Sequence, residues 1–600
     1  MGNDMDSQDF ADADRGLIGR LEPGVVRTED GRVVWDCAAW DFLEGDAPET
    51  VNPSLWRQSQ LCARQGLYEV TDGVYQVRGL DLSNMTLIEG ERGVIVVDPL
   101  ISTETAAAAI GLYREHRGDR PVTGVVYTHS HIDHFGGVLG VIDPETDDVP
   151  ILAPAEFMEH SVVENVYAGT AMLRRGYYYS AGGLEPGPAG PVGMGLGQAA
   201  SWGTPALVPP TVDVTATGQT ETVDGVRLVF QLTPGTEAPS EMNFHLPGHR
   251  ALCMAENATH TMHNILTLRG AVVRDARVWS RYINEAIQLY ASESDVVFSS
   301  HHWPTWGRER ITRYLSEQRD LYAYMHDQTL RRINQGATGL EIAEDMELPP
   351  ELDRAWNTSG YYGSLSHNVK AIYQRYLGWY DGHPASLWEH PPVDTARRYV
   401  ETIGGIDAVL AKARDYVDAD DPRFAAQLLK HAVFAEPGHQ EAKEALASVF
   451  ERLGHSCENG TWRNCYLMGA AELRGEVMPV PMAASSMAHA LTVTQVFDSI
   501  AIRLDGLRAA EVSLTIDWDL TDLKEHYRTQ LSNGALIHWR ADGGDTGGAD
   551  LSLTLTKPRL LGLLDGRGLD GVEYAGDPAA LERLLALTDR PDPDFAIVTP

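Results

Sequence analysis

The chain has 600 residues, 43% of them hydrophobic and 22% charged, which is too long for one core and ordinary for globular protein, so two to four domains are expected. Its 85 acidic residues against 48 basic ones leave a formal charge of −37, which argues against nucleic acid or an anionic membrane as a partner. No apolar run approaches a membrane span, and five scattered cysteines without a CxxC pair suggest neither a disulfide framework nor a zinc ribbon.

The N-terminus, Met1-Gly2-Asn3-Asp4-Met5-Asp6, is acidic and lacks the basic-then-apolar order of a secretory signal, which points to the cytoplasm. Residues 1–66 are polar, punctuated by Trp35, Trp40 and Trp56, and are expected to wrap the domain that follows. From Leu67 the pattern becomes that of paired strands: 68–70 and 74–77 flank a turn at Asp72-Gly73, and 85–90 and 93–98 form a second pair. An alanine-rich helix from Thr105 to about His116 leads to Gly124-Val125-Val126-Tyr127, which reads as a buried strand. Antiparallel strands, a helix and a further strand fit half of an α/β sandwich.

That strand ends in Thr128-His129-Ser130-His131-Ile132-Asp133-His134-Phe135-Gly136-Gly137, where four potential metal ligands are crowded together. Imidazole and carboxylate suit Zn²⁺ or a similar divalent ion, and the order His-x-His-x-Asp-His can divide its ligands between two neighbouring metals. A polar loop with structural histidines is the bland alternative, which a single His would favour and this arrangement does not. The run resembles the HxHxDH motif of the metallo-β-lactamase superfamily, whose members are mostly hydrolases with an αββα sandwich. The resemblance implies that Asp98, at the end of its strand, holds the metal loop without ligating.

Between Ala153 and Pro210 a helix through Met172 and Arg175 leads to Tyr177-Tyr178-Tyr179 and then to a Gly/Pro-rich loop. So long a loop is expected to be a lid, a binding loop or disordered, and the tyrosines are as fit for packing as for a site. A strand at 226–230 then runs into Thr233-Pro234-Gly235-Thr236-Glu237. The comparable Thr-Pro-Gly turn of the superfamily usually carries a histidine ligand. Glutamate there resembles the alkylsulfatase branch, and so does Glu256, which follows the next strand where an aspartate is usual. A strand at 296–300 delivers His301-His302. By this resemblance His129, His131 and Glu237 are assigned to one metal, Asp133, His134 and His301 to the other, and Glu256 to both, with two Zn²⁺ per subunit. His302 stands beside His301 as the alternative.

The stretch 258–271 resembles the alkylsulfatase pattern in which an asparagine and an arginine grip the sulfate and a histidine helps its departure. Arg269 offers a planar donor fork, Asn264 an amide donor, and His263 a proton or hydrogen bond. His260 and His263 are both expected to face the site, and a surface ion pair is the bland alternative for Arg269.

Residues 311–478 read as mainly helical, with an aromatic-rich stretch at 361–382 and two amphipathic helices, about 408–417 and 423–435, separated by an Asp-Pro break. Their tetratricopeptide-like hairpins are too few for a solenoid, so packing against a second subunit is expected, and the resemblance implies a homodimer. Pro479-Val480-Pro481 and Ala483-Ala484-Ser485-Ser486 read as a linker. Strands at 500–504, 512–518, 536–539 and 550–557 and a helix at about 578–587 suggest an α+β module that resembles a sterol-carrier-like domain. The expected domains are therefore 1–66, 67–310 (catalytic), 311–478 (helical, dimerising) and 479–600. The resemblance implies zinc-dependent hydrolysis of alkyl sulfate esters with a metal-activated water. Another hydrolase of the same fold, or a lipid carrier with a vestigial metal site, are the alternatives.

Overall fold

A computed structural model describes residues 2–477, 479–480, 487–541, 548–564 and 566–600. Two units are distinguished: residues 1–161, 171–483 and 594–600 in the larger, and 162–170 with 484–593 in the smaller.

The larger unit is built on two sheets whose strands follow one another in chain order. The first contains β1 (Leu17–Gly19), β2 (Gly66–Thr71), β3 (Val74–Arg78), β4 (Met85–Glu89), β5 (Val94–Val97), β6 (Val122–Val126), β7 (Ile151–Pro154) and β8 (Val212–Val214). The pairs from β1 to β5 are antiparallel and those from β5 to β8 parallel. The second contains β9 (Thr220–Val223), β10 (Val226–Leu232), β11 (Met242–Leu246), β12 (Ala251–Cys253), β13 (Val296–Phe298) and β14 (Thr305–Trp306). Val74, Ile95, Val97, Val126 and Leu152 from the first sheet share one buried cluster with Leu228, Phe230, Phe244 and Phe298 from the second. Short β-branched and aromatic runs apolar on the inward face are what pairs such sheets.

Helices close both outer faces, giving the expected αββα sandwich. On one side α1 (Thr103–Arg117), capped by Ser102, packs Tyr113 against Tyr75 at 5.9 Å. On the other, α2 (Ala276–Tyr290) and α3 (Arg308–Ile333) bury Trp279, Ile283, Leu315 and Tyr322 in one cluster with Leu252 and Val297. The N-terminal segment contributes more than a wrap, because β1 pairs with β2 at the sheet edge.

The helical part of this unit includes α4 (Leu365–Leu377), α5 (Pro392–Ile403), α6 (Ile406–Asp418), α7 (Pro422–Ala435), α8 (Gln440–Ser456) and α9 (Gly460–Arg474). Val409, Leu429, Ala432 and Leu446 form the seam between α6, α7 and α8. Of the expected linker, Pro481 and Ala483 to Ser486 lie outside the described residues.

The smaller unit is a five-stranded sheet in the order β17-β16-β15-β18-β19, from β15 (Leu514–Leu520), β16 (Glu525–Ser532), β17 (Ala535–Arg540), β18 (Leu551–Leu555) and β19 (Glu573–Gly576). One face buries Leu514, Ile516 and Trp518 beneath Val496, Phe497 and Ile500. The strand expected at 500–504 is instead the end of helix α10 (Val493–Arg503). A capping box of Thr492 and Gln495 starts that helix, and Val493, Val496, Phe497 and Ile500 recur at helical spacing, which over the whole segment outweighs five alternating residues.

Candidate metal centre

The seven candidate ligands come from four loops that follow strands. β6 leads to the histidine run, the β10–β11 turn carries Glu237, β12 leads to Glu256 and β13 to His301. An isolated bridge between His129 and Glu241 and the Met242 N–H donating to the Thr128 carbonyl at 2.9 Å tie the first loop to the second. Backbone close approach holds the histidine run: a Cβ on Gly136 would lie 2.2 Å from the Ile101 carbonyl oxygen, and one on Gly137 2.1 Å from that of Pro99. Neither glycine is at positive φ, so the sequence's Gly-Gly serves contact rather than a left-handed turn.

Two groups of donor atoms result, each with all members within 4.8 Å: His129, His131, Glu237 and Glu256, and Asp133, His134, Glu256 and His301. Glu256 belongs to both. Its Oε2 lies 3.4 Å from His129 Nε2, 3.2 Å from His134 Nε2 and 3.2 Å from His301 Nε2. Glu237 Oε2 is 3.1 Å from His129 Nε2 and 2.8 Å from His131 Nδ1, and Asp133 Oδ2 is 3.1 Å from His134 Nε2. His301, not His302, joins the cluster. His302 instead accepts from the His260 N–H at its Nδ1 and meets the Gly195 carbonyl at its Nε2.

Each of the two groups could hold a metal ion. Among the described residues, Nε2 of His129, His134 and His301 and Oε2 of Glu237 are buried yet have no partner in good hydrogen-bond geometry, although other donor atoms crowd them. Buried polar atoms without hydrogen bonds are expensive, and convergence on a shared cation removes that penalty. The opposite ring nitrogens are held: Nδ1 of His129 meets Thr128 Oγ1 at 2.9 Å, that of His134 meets Asp98 Oδ2 at 3.0 Å, and that of His301 meets the Leu82 carbonyl at 3.1 Å. Such outer contacts fix which nitrogen faces inward. Asp98 also accepts from the Thr128 N–H and from the hydroxyls of Thr128 and Ser300, and so takes the holding position expected of it.

The charge balance points the same way. Asp98, Asp133, Glu237, Glu241 and Glu256 are gathered here, and Arg274, 4% exposed, pairs with Glu237. Burial raises the Glu241 carboxyl, with Glu237 adding to the effect, and pushes it up to about 8. Burial is the largest influence on Glu237 and would raise it too, but Arg274, with His131 and His129 adding to it, holds that carboxyl below its usual range. Glu241 and Arg274 were not singled out in the sequence. Glu241 accepts from the Thr236 hydroxyl at 2.7 Å and from the N–H groups of Glu237, Ala238 and Glu256, joining two ligand loops from beneath.

Of the residues expected to handle sulfate, His263 is buried with Nε2 2.7 Å from Glu256 Oε1, and Asn264 adjoins it. Arg269 is half-buried, with Nη1 3.2 Å from the Gly270 carbonyl and 3.8 Å from Met172 Sδ. Its charge acts on the Tyr179 hydroxyl, which also feels Asp133 and Glu256. His260 does not face the cluster: its ring stacks on Trp303 at 4.5 Å and Tyr314 at 4.8 Å, so an apolar aromatic slot takes it. The loop after the tyrosines is packed, not a loose lid, with residues 191–198 buried throughout. Tyr178 bonds Glu472 and Tyr177 meets Trp202 edge-on at 5.1 Å, whereas the Tyr179 hydroxyl feels Asp133 and Glu256.

Comparison with known proteins agrees with this architecture. The metallo-beta-lactamase superfamily model matches residues 78–301, alkyl sulfatase dimerisation 338–476 and alkyl sulfatase C-terminal 481–600. A linear primary-alkylsulfatase of Pseudomonas sp. is 46% identical, covering 99% of this chain and 90% of the relative. An alkyl/aryl-sulfatase of Saccharomyces cerevisiae is 44% identical, covering 99% and 94%. The solved structure of a stereoselective inverting sec-alkylsulfatase from Pseudomonas sp. superposes with a TM-score of 0.97 at 44% identity, covering 99% of this chain and 96% of that one. With donor groups, domain order and whole-length similarity in agreement, the chain belongs to the alkylsulfatase family of the metallo-β-lactamase superfamily.

Proposed function

We propose that the protein hydrolyses alkyl sulfate esters, dodecyl sulfate among them, to the alcohol and inorganic sulfate, with two Zn²⁺ per subunit. The observation that carries this reading is the convergence of three buried imidazole nitrogens on Glu256 Oε2, flanked by Glu237 and Asp133. When bound, such cations activate water and offset the negative charge of a sulfate ester. His129, His131 and Glu237 would hold one, Asp133, His134 and His301 the other, and Glu256 both. Asn264 and Arg269 supply donors to sulfate oxygens, and His263, on the Glu256 side of the cavity, hydrogen-bonds the departing group. Turnover of dodecyl sulfate by zinc-loaded protein, lost on chelation and restored by zinc, is the expected result. Undiminished turnover after complete metal removal would reject it.

One relative is described as inverting, and inversion at a carbon centre requires the C–O bond to break. Extended to this chain, hydrolysis in ¹⁸O-water puts the label in the alcohol. Label in the sulfate would assign S–O cleavage instead.

We further propose a homodimer through residues 311–478, a cytoplasmic location, and an alkyl-binding role for residues 479–600 in the manner of a sterol-carrier-like domain. Ile537 and Trp539, 55% and 42% exposed on β17, are apolar surface suited to the last role. No helix among the described residues is long and apolar enough to cross a membrane.

A further inference from the structure

We propose that Arg274 is a positioning residue that decides which atoms of two site residues, Glu237 and Asn264, are presented to the reaction cavity. For Asn264 this rests on the alkyl sulfate reading; for Glu237 it rests on the donor-group geometry alone. Arg274 immediately precedes Asp275, the N-cap of α2. Its own N–H donates to the Ile265 carbonyl, and the Asp275 N–H donates to the Gly235 carbonyl, both at 2.9 Å. The backbone is thus stitched between the turn that carries Glu237 and the stretch that carries Asn264.

A guanidinium only donates. Nη2 of Arg274 bonds Glu237 Oε1, which leaves Oε2 as the oxygen toward His129 Nε2, 3.1 Å away, and His131 Nδ1, 2.8 Å away. Nη1 donates to the Asn264 backbone carbonyl at 2.8 Å and to its side-chain Oδ1. A primary amide accepts at one end and donates at the other, so an Oδ1 held by Arg274 turns Nδ2 the opposite way. Among the described residues the hydrogen bonds of Asn264 leave Nδ2 unused. Donor-outward is the orientation a sulfate oxygen needs, whereas the reversed amide would set a carbonyl oxygen against an anion. One buried cation therefore sorts a carboxylate for the metal side and an amide for the sulfate side through a planar donor fork that a lysine ammonium lacks.

The test compares Arg274→Lys, Arg274→Gln, Asn264→Ala and the double variant Arg274→Lys/Asn264→Ala in the full chain. Zinc affinity is read on metal-stripped protein by competition with a chromophoric chelator, and KM and kcat for dodecyl sulfate after reloading. Arg274→Lys keeps zinc affinity within about threefold of the parent but raises KM about tenfold or more, with a smaller change in kcat, because the charge beside Glu237 survives and the fork does not. Arg274→Gln also loses about tenfold or more in zinc affinity, since Glu237 loses its partner. Asn264→Ala raises KM comparably, and adding Arg274→Lys raises it no further, as two residues acting through one contact require. KM effects that multiply in the double variant, or unchanged zinc affinity in a folded Arg274→Gln, overturn the proposal. Should Arg274→Gln fail to fold by circular dichroism, the lysine and double variants decide. Absence of dodecyl sulfate turnover by the reloaded parent would sink the functional reading, and the zinc measurement would still decide the Glu237 half.

Discussion

His263 Nε2 lies 2.7 Å from Glu256 Oε1, so the histidine expected to assist departure of the product is joined to the one carboxylate shared by both donor groups. The contact uses the Glu256 oxygen that the other histidines do not crowd. His263→Ala is expected to lower kcat for alkyl sulfates by about 10²-fold or more, the usual scale for a positioned acid or hydrogen-bond donor. Zinc content, measured by elemental analysis, stays at the parent level. Loss of zinc in that variant would make His263 a ligand instead.

Arg269 stands apart from the ligands, beside Met172 and Tyr179. Arg269→Ala is predicted to raise KM and lower kcat for alkyl sulfates with metal content unchanged. The scale is about 10- to 100-fold in kcat/KM, from a lost charge-assisted hydrogen bond of roughly 1.5–3 kcal/mol. Steady-state kinetics paired with zinc analysis checks it, and equal loss of zinc would give Arg269 a structural role.

The stretch from Gly378 to Pro391 joins α4 to α5 and exposes Trp379, Leu387 and Trp388 at 75%, 57% and 96%. Burying a tryptophan's ~150–250 Å² against a partner contributes roughly 4–6 kcal/mol at ~25 cal/mol per Å². If a second copy of the chain covers this stretch, Trp388→Ser and Trp379→Ser together shift the protein from dimer to monomer in sedimentation velocity at micromolar concentration. An unchanged dimer would place the interface elsewhere.

Burial pushes the His260 imidazole down to about 3, below its value of about 6.5 in an unfolded chain. Between those values the unfolded state binds the proton and the folded state does not, so the contribution is fully present above pH 6.5 and is lost as pH falls, by about 1.4 kcal/mol per unit. His260→Phe, which keeps the stacking on Trp303 and Tyr314, is expected to flatten the decline of the unfolding temperature between pH 6.5 and 4 relative to the parent. Parallel curves for the two proteins would show that His260 is not the group responsible.

The sandwich was legible because its strands carry dense β-branched runs such as Val94–Val97, and the histidine run because four ligand-type residues within six positions leave little room for coincidence. Glu237, Glu256 and His301 were legible only through family resemblance, each being a lone polar residue after a strand. Arg274 and Glu241 carry no local signal at all: what marks them is burial beside partners 10 to 37 positions and 3 to 15 positions away respectively, a property of the folded chain. Strand β16 has the alternation of a strand, with Tyr527, Thr529 and Leu531 on one face, but Glu525, His526, Arg528 and Gln530 leave it too few apolar residues to stand out in the sequence. His260 was misplaced because neighbourhood to Glu256 along the chain says nothing about which way a ring turns.

Glu256 is proposed to serve two cations at once, and zinc stoichiometry reads that out. Parent protein reconstituted with zinc and freed of excess should carry two ions per chain, His131→Ala about one, and Glu256→Ala fewer than His131→Ala, because that substitution touches both donor groups. Two tightly held ions in a folded Glu256→Ala, or none in the parent, would contradict it.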